Sequence, residues 1–555
     1  MRKILVFGLG IFLASALAPA PDKKIPEYPA FIFGHIVWED ESTTQSLRDL
    51  VKGYQEREIP VSGVIIDSPW ETAYNNFEFD AKRYPEYQKL LSDLKSQNIA
   101  VILWITSAIN TEDPEYQYAL EKGYYFPGFE KYKWWKGTGG LIDYNNPEAM
   151  KFWHRRVNKA LDLGIDGWKV DGVEGAVAVR GINKQREYSR LYYSDFFYYS
   201  REHTGRPIVI MARGIEEFNE HSSGLPRWTN PLRLGPDIVF APQEVSFMTW
   251  MGDQTPNWDG IKDAHRDFGK SVQAGYLVPG FDIGGYRSGD PDKELFIRWA
   301  QFGAFVPMME NGGNPEHRPW EFGEDAVEIY RQLAVWHEEL KWYLYSLAEE
   351  KFLAKKSLVE MHGKNFLLGD SIFVAPILKP GGKISFQLPE GNWRSWYDLS
   401  KTFKTGETIN QQFPISEFPV YVIEGSLIPL WVSSKYGHLL NASFASQDTF
   451  WLLPGNGEGT RVLLDPDGNQ GSVSWKRTET SIEVSAQGLK REVILLAEEI
   501  NKTPLSVSSS DKSLKKVECS SIKPAGEDEF CQQDQKLFLR LIPKEGKVDA
   551  KIVSE

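Results

Sequence analysis

Short apolar runs alternate with longer amphipathic stretches along residues 30–345 of this 555-residue chain. The runs have six to eight residues each and lie at 31–38, 61–67, 99–106, 166–171, 207–213, 246–252, 277–282 and 304–309. Runs of this length are typical of buried strands, and the stretches between them are long enough for helices. Eight strands that alternate with helices predict an α/β fold, a (β/α)8 TIM barrel over residues 27–345.

The clearest of the intervening helices follows residue 146. Asn146 is a good N-cap, Pro147 suits the first helical position, and Gly164 follows the end of the pattern. The apolar positions between them recur at helical spacing and are Met150, Trp153, Val157 and Leu161. The stretch therefore predicts an amphipathic helix that covers one barrel strand.

After about residue 346 the pattern changes to short β-type runs broken by Gly and Pro. These runs predict two β-sandwich domains, a proximal one at 346–440 and a distal one at 441–555. Cys519 and Cys531, the only two cysteines, lie in the distal part and lack metal-ligand spacing. In an exported protein they are able to form one disulfide.

The first residues have the layout of a secretory signal. Two basic residues precede an apolar run of about fifteen residues and then small residues. We therefore expect a signal peptide at 1–20 and a periplasmic or extracellular protein. An uncleaved signal that tethers the chain to the membrane stays open, because prolines at 19 and 21 obscure the cleavage site.

Charge and composition exclude some partners without choosing a substrate. A formal net charge of −13 argues against nucleic acid, whose phosphates attract basic surfaces. Aromatic residues make up 13% of the chain, with 19 Trp, which fits either sugar-stacking surfaces or a large aromatic core. The pattern leaves the oligomeric state open.

Charged residues stand at the ends of several predicted strands. Asp67, Asp171, Arg213 and Asp282 end strands two, four, five and seven, and Asp253 follows strand six. The carboxyl ends of barrel strands meet at one mouth, where active sites lie. Carboxylates held close together have separated pKa values, which suits acid and base work on one substrate. Glycoside hydrolysis needs such a pair.

Other residues near these strand ends fit a sugar pocket. Lys169 lies two residues before Asp171 and should face the same side of its strand. Five tryptophans lie close by, each more typical of a core when taken alone but suggestive of sugar platforms as a group: Trp104, Trp134, Trp135, Trp250 and Trp258.

Several long motifs in order carry a resemblance to glycoside hydrolase family 31, the retaining α-glycosidases. "DGWKVDGVE" is similar to the nucleophile segment of that family, and "WMGDQTPNW" resembles its acid/base segment. "IVIMARG" and "GFDIGGY" resemble two further barrel strands, and "LLGDSIFVAPIL" and "FPVYVIEGSLIPL" resemble the proximal β-domain. The resemblance covers about residues 30–435.

The resemblance implies roles for the residues that match. Asp171 would be the nucleophile and Asp253 the general acid and then the general base. Asp67, Lys169, Arg213 and Asp282 would hold sugar hydroxyls or tune that pair, and Trp104, Trp135, Trp250, Glu310 and His317 complete the expected substrate-binding set. Two carboxylates suffice for this chemistry, so we expect no cofactor and no metal.

The sequence departs from the family pattern in three places. Only about ten residues separate the expected signal from strand one, where the family usually has a β-sandwich, so we expect a more open pocket. After strand eight Glu310 and Gly312 stand where the family commonly has Arg and His, and His317 is the candidate substitute. About forty residues separate Arg213 from Asp253, which predicts an extra loop over the mouth.

We therefore expect an α-glycosidase that hydrolyses a small or oligosaccharide α-hexoside, either an α-glucoside or an α-galactoside. A transglycosylase or lyase on the same covalent intermediate is the alternative within enzymes. Two other classes remain, a carbohydrate-binding barrel without turnover and a barrel scaffold for protein contacts. A pure binder has no need for both carboxylates, and a scaffold predicts apolar side chains at the strand ends.

Overall fold

The computed structural model describes residues 28–172, 182–217, 237–239, 241–314, 317–432, 447–464, 470–500, 503–510, 512–519, 527–533 and 535–554. The predicted signal at 1–20 and most of the predicted loop between Arg213 and Asp253 lie outside them. No helix in these ranges is long and apolar enough to span a bilayer.

Eight parallel strands close into a barrel, which confirms the predicted fold class. In chain order they are β1 (His35–Glu39), β2 (Gly63–Ile66), β3 (Ala100–Ile105), β4 (Gly167–Val170), β5 (Val209–Arg213), β6 (Met248–Met251), β7 (Val278–Ile283) and β8 (Met309–Asn311). Their order around the barrel is the order in the chain, and β8 pairs with β1. Strand β1 therefore lies directly across the barrel from β5.

The first and last strands differ from the prediction. Ala30–Phe33 form a 3-10 helix rather than the start of β1, and the helix that precedes β8 runs on to Ala304. Both segments are apolar and largely buried, and a short apolar run of this kind does not distinguish a strand from a helix end by periodicity alone.

Nine helices are described, and all lie between residues 44 and 353. They are α1 (Thr44–Glu56), α2 (Tyr87–Ser96), α3 (Tyr116–Glu121), α4 (Pro147–Leu161), α5 (Ile182–Thr204), α6 (Trp258–Gln273), α7 (Lys293–Ala304), α8 (Glu324–Glu339) and α9 (Lys341–Leu353). The predicted helix after residue 146 is α4: the Asn146 side chain accepts hydrogen bonds from the backbone N–H groups of Glu148 and Ala149. Gly164 then adopts the left-handed conformation (φ 84°) that ends the segment.

Two small sheets stand beside the carboxyl ends of the strands. Ala108–Asn110, Gly137–Leu141 and Tyr132–Trp134 form a three-stranded sheet after β3, in which the last two strands make a hairpin over 132–141. Ile215–Glu217 pairs with Asp237–Val239 after β5.

The C-terminal part is built of antiparallel and mixed sheets, in agreement with the predicted β-domains. The first six-stranded sheet has the order Val359–His362, Asn365–Leu368, Ile372–Val374, Val420–Ile423, Trp393–Ser395 and Thr402–Phe403, with Lys383–Gln387 and Thr408–Gln412 paired separately. The second has the order Leu427–Val432, Gln447–Leu452, Val493–Ala497, Lys536–Leu541, Glu529–Gln533 and Lys515–Lys516. The third has the order Gly457–Leu464, Gln470–Arg477, Ser481–Gln487, Lys547–Val553, Ser506–Ser509 and Lys512–Ser513.

The distal part has its own core and a disulfide. Phe450, Leu495 and Leu539 are fully buried between its sheets, and Trp342 of α9 packs into the same cluster. A disulfide joins Cys519 and Cys531.

Two buried histidines lie at the amino-terminal end of the barrel, opposite the mouth. His35 Nδ1 lies 2.7 Å from the carbonyl oxygen of Pro60, and its Nε2 lies 2.8 Å from the hydroxyl of Tyr330. His337 Nδ1 lies 3.0 Å from the carbonyl oxygen of Ala304. Burial lowers the pKa of both imidazoles from 6.5 to about 4, so each is neutral in the folded protein.

These histidines predict a loss of stability in acid. Because the folded pKa lies below the unfolded value, the unfolded chain takes up protons first as the pH falls. Their contribution is complete above about pH 6.5 and declines toward about pH 4, by roughly 1 kcal/mol per histidine per pH unit. Urea unfolding of the protein and of His337→Asn, at several pH values, should show a shallower dependence of the unfolding free energy on pH in the variant. Parallel curves would contradict this account.

Candidate active site

Side chains from seven barrel strands, or from the residue or two after them, meet at the mouth in one network of contacts. It contains all but two of the residues that the sequence predicted for the site: Asp67, Trp104, Lys169, Asp171, Arg213, Trp250, Asp253, Asp282 and Glu310. Trp135 and His317 lie outside it. The network has two halves, joined by the ring of Trp250, which faces both Lys169 and Arg213.

Asp171 is held by donors on both carboxylate oxygens. Its Oδ1 accepts hydrogen bonds from Arg213 Nε and the Gly172 N–H, each at 2.7 Å, and its Oδ2 accepts one from Trp104 Nε1 at 3.1 Å. The backbone is also fixed, since Tyr192 donates its hydroxyl proton to the Asp171 carbonyl. Burial raises the pKa of Asp171, but the Arg213 charge and these hydrogen bonds outweigh it and leave the pKa below its usual value. This carboxylate stays ionised at neutral pH.

Arg213 connects this carboxylate to the second one. Its Nε contacts Asp171 and its Nη2 lies 3.1 Å from Asp253 Oδ1, so one guanidinium spans the pair. The Asp253 side chain is 32% exposed, against 12% for Asp171, and therefore lies on the open side of the pair. A buried, ionised carboxylate stands beside one that reaches solvent.

The backbone at Asp253 is unusual. This residue follows β6 after one glycine and has φ 67°, a left-handed conformation that Asp and Asn tolerate better than other non-glycine residues. Arg287 Nε donates a 2.7 Å hydrogen bond to the Asp253 carbonyl and holds the turn from the β7 side. The conformation sets the direction in which the carboxylate leaves the strand end.

Lys169 lies at the base of the other half of the site. Its Nζ is 3.3 Å from Asp67 Oδ2 and 3.7 Å from Glu310 Oε1, and it sits 3.7 Å from the ring centroid of Trp38. Burial lowers the pKa of Lys169, but the carboxylates around it, Asp67 and Glu310 first, outweigh burial and raise the pKa above its usual value. The residue is a buried cation that faces the same side of β4 as Asp171.

Asp282 and Glu310 form a buried carboxyl pair. They are partners in the register of β7 and β8, and both are almost fully buried. Burial raises the pKa of Glu310 to about 7, and burial together with Glu310 raises that of Asp282 well above its ordinary value. At least one of the two carboxyls therefore holds a proton at neutral pH. Glu310, which stands where the family commonly has Arg, therefore places a carboxyl group beside Lys169 where that Arg would place a second positive charge.

His317 packs under the loop that follows β7. It is 2% exposed, and its Nε2 lies 2.6 Å from the carbonyl oxygen of Gly285. Gly284 and Gly285 both have φ near +90°, and a Cβ on Gly284 would come within 2.9 Å of the imidazole. The imidazole therefore supports the "IGGY" turn, and its hydrogen-bond partner at Gly285 lies outside the carboxylate network.

Trp135 stands at the tip of the 132–141 hairpin and is 55% exposed. It contacts Trp134, which in turn contacts Tyr74, and Tyr74 packs against the edge of Trp104. This row of rings links the exposed tip to the indole that bonds Asp171. Trp258 lies in the first turn of α6 and packs partly buried against the core.

Two aromatic residues of the mouth are not among the predicted site residues. Trp38 of β1 lies under the Lys169 ammonium, and Tyr286 stacks on Trp38 with ring centroids 6.0 Å apart and an interplanar angle of 20°. Period-two alternation along β1 is the signal that places Trp38 inside the barrel. In the part of the chain that the structure describes, no group of three or more His, Cys, Asp or Glu is arranged to hold a metal ion.

Family models match two consecutive parts of the chain. Residues 25–347 match the TIM-barrel domain of glycosyl hydrolases family 31, and residues 349–428 match the C-terminal domain of that family. The alpha-xylosidase XylQ of Lactiplantibacillus pentosus is 26% identical in an alignment of 450 residues that covers 73% of this chain and 54% of that protein. Alpha-glucosidase 2 of Bacillus thermoamyloliquefaciens is 22% identical in an alignment of 486 residues that covers 80% of this chain and 58% of that protein. The chain spans little more than half the length of these relatives.

Among solved structures, the family 31 dextranase of Flavobacterium johnsoniae, complexed with glucose, superposes with a TM-score of 0.81. The match covers 95% of this chain and 71% of the dextranase, at 19% identity. At that identity the superposition shows a shared fold.

Proposed function

The chain belongs to glycosyl hydrolase family 31, and from that membership and the geometry of its mouth we propose that it is a retaining α-glycosidase. The observation that carries the proposal is the Arg213 guanidinium, which contacts Asp171 and Asp253 together. Double displacement needs one ionised carboxylate and one proton-donating carboxyl on either side of the scissile bond. The buried Asp171 and the more open Asp253 suit these two roles.

In the first step an Asp171 oxygen attacks the anomeric carbon, and the bond from that carbon to the glycosidic oxygen breaks. Asp253 gives its proton to the departing oxygen, so the leaving group departs as a neutral alcohol. The donors on Asp171 keep it ionised and aimed before the attack. The product of this step is a covalent β-linked glycosyl ester on Asp171.

In the second step water takes the place of the leaving group. Asp253, now a carboxylate, removes a proton from the water as its oxygen attacks the anomeric carbon, and the ester bond to Asp171 breaks. Two inversions restore the α configuration. A sugar hydroxyl in place of water would make the same site a transglycosylase, which shares every residue named in these two steps.

The remaining polar groups suit a neutral sugar. Lys169 and Arg213 each already lie against two carboxylates, so an anionic substituent on the sugar would compete with Asp67 and Glu310 or with the catalytic pair. Hydroxyl groups, in contrast, are able to donate to these carboxylates. We therefore favour an α-hexoside without a carboxylate or sulfonate group, such as an α-glucoside or an α-galactoside.

A panel of 4-nitrophenyl α-glycosides tests this function. We expect hydrolysis of at least one among the glucoside, galactoside, xyloside and N-acetylgalactosaminide, and none of the sulfoquinovoside. Proton NMR of the first product formed should show the α-anomer, before mutarotation. A β-anomer as the first product would contradict the retaining mechanism, and an inactive protein on the whole panel would contradict the proposed activity.

A further inference from the structure

One carboxylate at the mouth has no role in the chemistry above. Asp40 is the residue after β1, which ends at Glu39. Because β1 lies directly across the barrel from β5, Asp40 stands on the opposite side of the mouth from Arg213. A sugar whose anomeric carbon lies at Asp171 and Asp253 would direct the opposite end of its ring toward β1 and β2.

The alternation of β1 directs Asp40 into the mouth. Trp38 faces inward, since it lies under the Lys169 ammonium, and Glu39 faces outward to an ion pair with Arg318. Asp40, the first residue of the turn after β1, takes the next and inner position of this alternation, and the interaction of its charge with Asp67 and Lys169 agrees with that placement. Register leads to the same position: Glu39 pairs with Ile66, so the next residues of the two strands, Asp40 and Asp67, are neighbours.

In the part of the chain that the structure describes, Asp40 neither caps a helix nor forms an ion pair that would explain its place. Helix α1 starts at Thr44 and is capped by Thr43, whose side chain accepts from the Ser46 N–H. Within the described residues, no hydrogen bond or ion pair of the half-buried Asp40 side chain is found. Burial and then the neighbouring Asp67 raise the pKa of Asp40 to about 6.

The electrostatic surroundings of Asp40 are those of the substrate pocket. Besides burial, the pKa of Asp40 is raised by Asp67 and the adjacent Glu41. It is lowered by the ammonium groups of Lys169 and of Lys136 in the 132–141 hairpin. Asp40 in turn is one of four carboxylates whose charges raise the pKa of the Tyr286 hydroxyl; the others are Asp67, Asp253 and Asp171. An acceptor that is partly desolvated and lacks a donor gains when a ligand supplies one.

We propose that Asp40 is a substrate-contacting residue which, together with Asp67, accepts hydrogen bonds from the sugar hydroxyls farthest from the scissile bond, those at C4 and C6. The inference rests on the proposed glycosidase function. It makes Asp40 a specificity-determining residue, because a sugar without one of these hydroxyls would leave a carboxylate unpaired in a partly desolvated pocket. Xylosides, which have no C6, would be poorer substrates than hexosides.

Deoxy substrates separate contact from a general effect on the fold. The best 4-nitrophenyl α-hexoside and its 4-deoxy and 6-deoxy analogues are compared on the wild type, Asp40→Asn and Asp40→Ala. On the parent glycoside we expect Asp40→Ala to lower kcat/KM by about 10- to 100-fold, the effect of one hydrogen bond to a charged group. On the analogue that lacks the contacted hydroxyl, the wild type and the variant should be nearly equal. Asp162→Asn, a change in an exposed carboxylate at the end of α4, is the control and should match the wild type.

An equal loss on all three glycosides would overturn the inference, as would an Asp40→Ala enzyme that keeps full activity. Either result leaves the glycosidase activity itself intact. If the wild type cleaves no α-glycoside, the proposed function fails, and the inference is then judged by calorimetric titration of the wild type and Asp40→Ala with free glucose, galactose and their 4-deoxy forms. Affinities that do not differ between the two proteins, including no binding at all, would overturn it.

Discussion

Replacing Asp171 with alanine is expected to lower kcat for α-glycosides by on the order of 10⁴-fold or more, the scale seen when an enzyme loses its nucleophile or its base. The loss follows because no covalent ester forms without a carboxylate at this position. The fold should remain, since Asp171 lies at the end of β4 and Arg213 keeps its contact with Asp253. Steady-state kinetics and the thermal midpoint of each protein measure the two effects separately.

Azide makes the role of Asp171 visible in the product. In Asp171→Ala the truncated side chain leaves room for azide, which is able to attack the anomeric carbon from the side that the carboxylate occupied. This single displacement on an α-glycoside gives a β-glycosyl azide. Asp162→Asn is the matched control, because Asp162 is an exposed carboxylate at the end of α4 and should not affect the rate. Full activity in Asp171→Ala, or an α-glycosyl azide from it, would remove Asp171 as the nucleophile.

Replacing Asp253 with asparagine should produce a loss that depends on the leaving group. Asparagine keeps the left-handed backbone that Asp253 adopts at φ 67°, whereas alanine would add strain, so this variant isolates the chemistry. Substrates with poor leaving groups need the proton and should slow by about 10²- to 10⁴-fold in kcat/KM. Fluoride and dinitrophenolate leave without a proton, so kcat/KM for glycosyl fluorides and dinitrophenyl glycosides should fall only a little. Rates across a series of leaving groups measure the difference.

The same variant offers a second test through azide. Loss of the general base slows the attack of water on the glycosyl ester, and azide needs no base. With an activated substrate, azide should therefore restore turnover and give an α-glycosyl azide, the opposite anomer to that from Asp171→Ala. Equal losses on all leaving groups, together with no effect of azide, would mean that Asp253 is not the acid and base.

Much of the site could be predicted from strand ends alone. Asp67, Asp171, Asp253 and Asp282 were predicted because each ends or closely follows an apolar run, and all four lie at the mouth. Lys169 was predicted from its spacing to Asp171, and the structure places it on the same side of β4. These predictions depend on local periodicity and on one property of barrels, that the carboxyl ends of the strands meet.

Other residues did not follow the sequence pattern. Glu310 aligned with a family Arg, but burial beside Asp282 and Lys169 gives it a raised pKa and a place under the pocket. His317 was the candidate for a missing sugar ligand, yet its imidazole packs against Gly284 and Gly285. Trp135 projects from a hairpin tip whose path no local pattern indicates.

Local features of the protein were readable from the chain alone: eight strand-forming runs, a capped helix after Asn146 and carboxylates at the strand ends. They were readable because backbone periodicity and capping depend on residues only a few positions apart. The tertiary structure decided the rest: which carboxyl groups share a proton, which carboxylate is ionised, and which residues lie across the barrel from Arg213. Arg213 reaches both Asp171 and Asp253, and Asp40 comes to lie beside Asp67, only when the barrel closes. Burial and charge–charge energies, which set the pKa values of these groups, depend on distances between residues far apart in the chain.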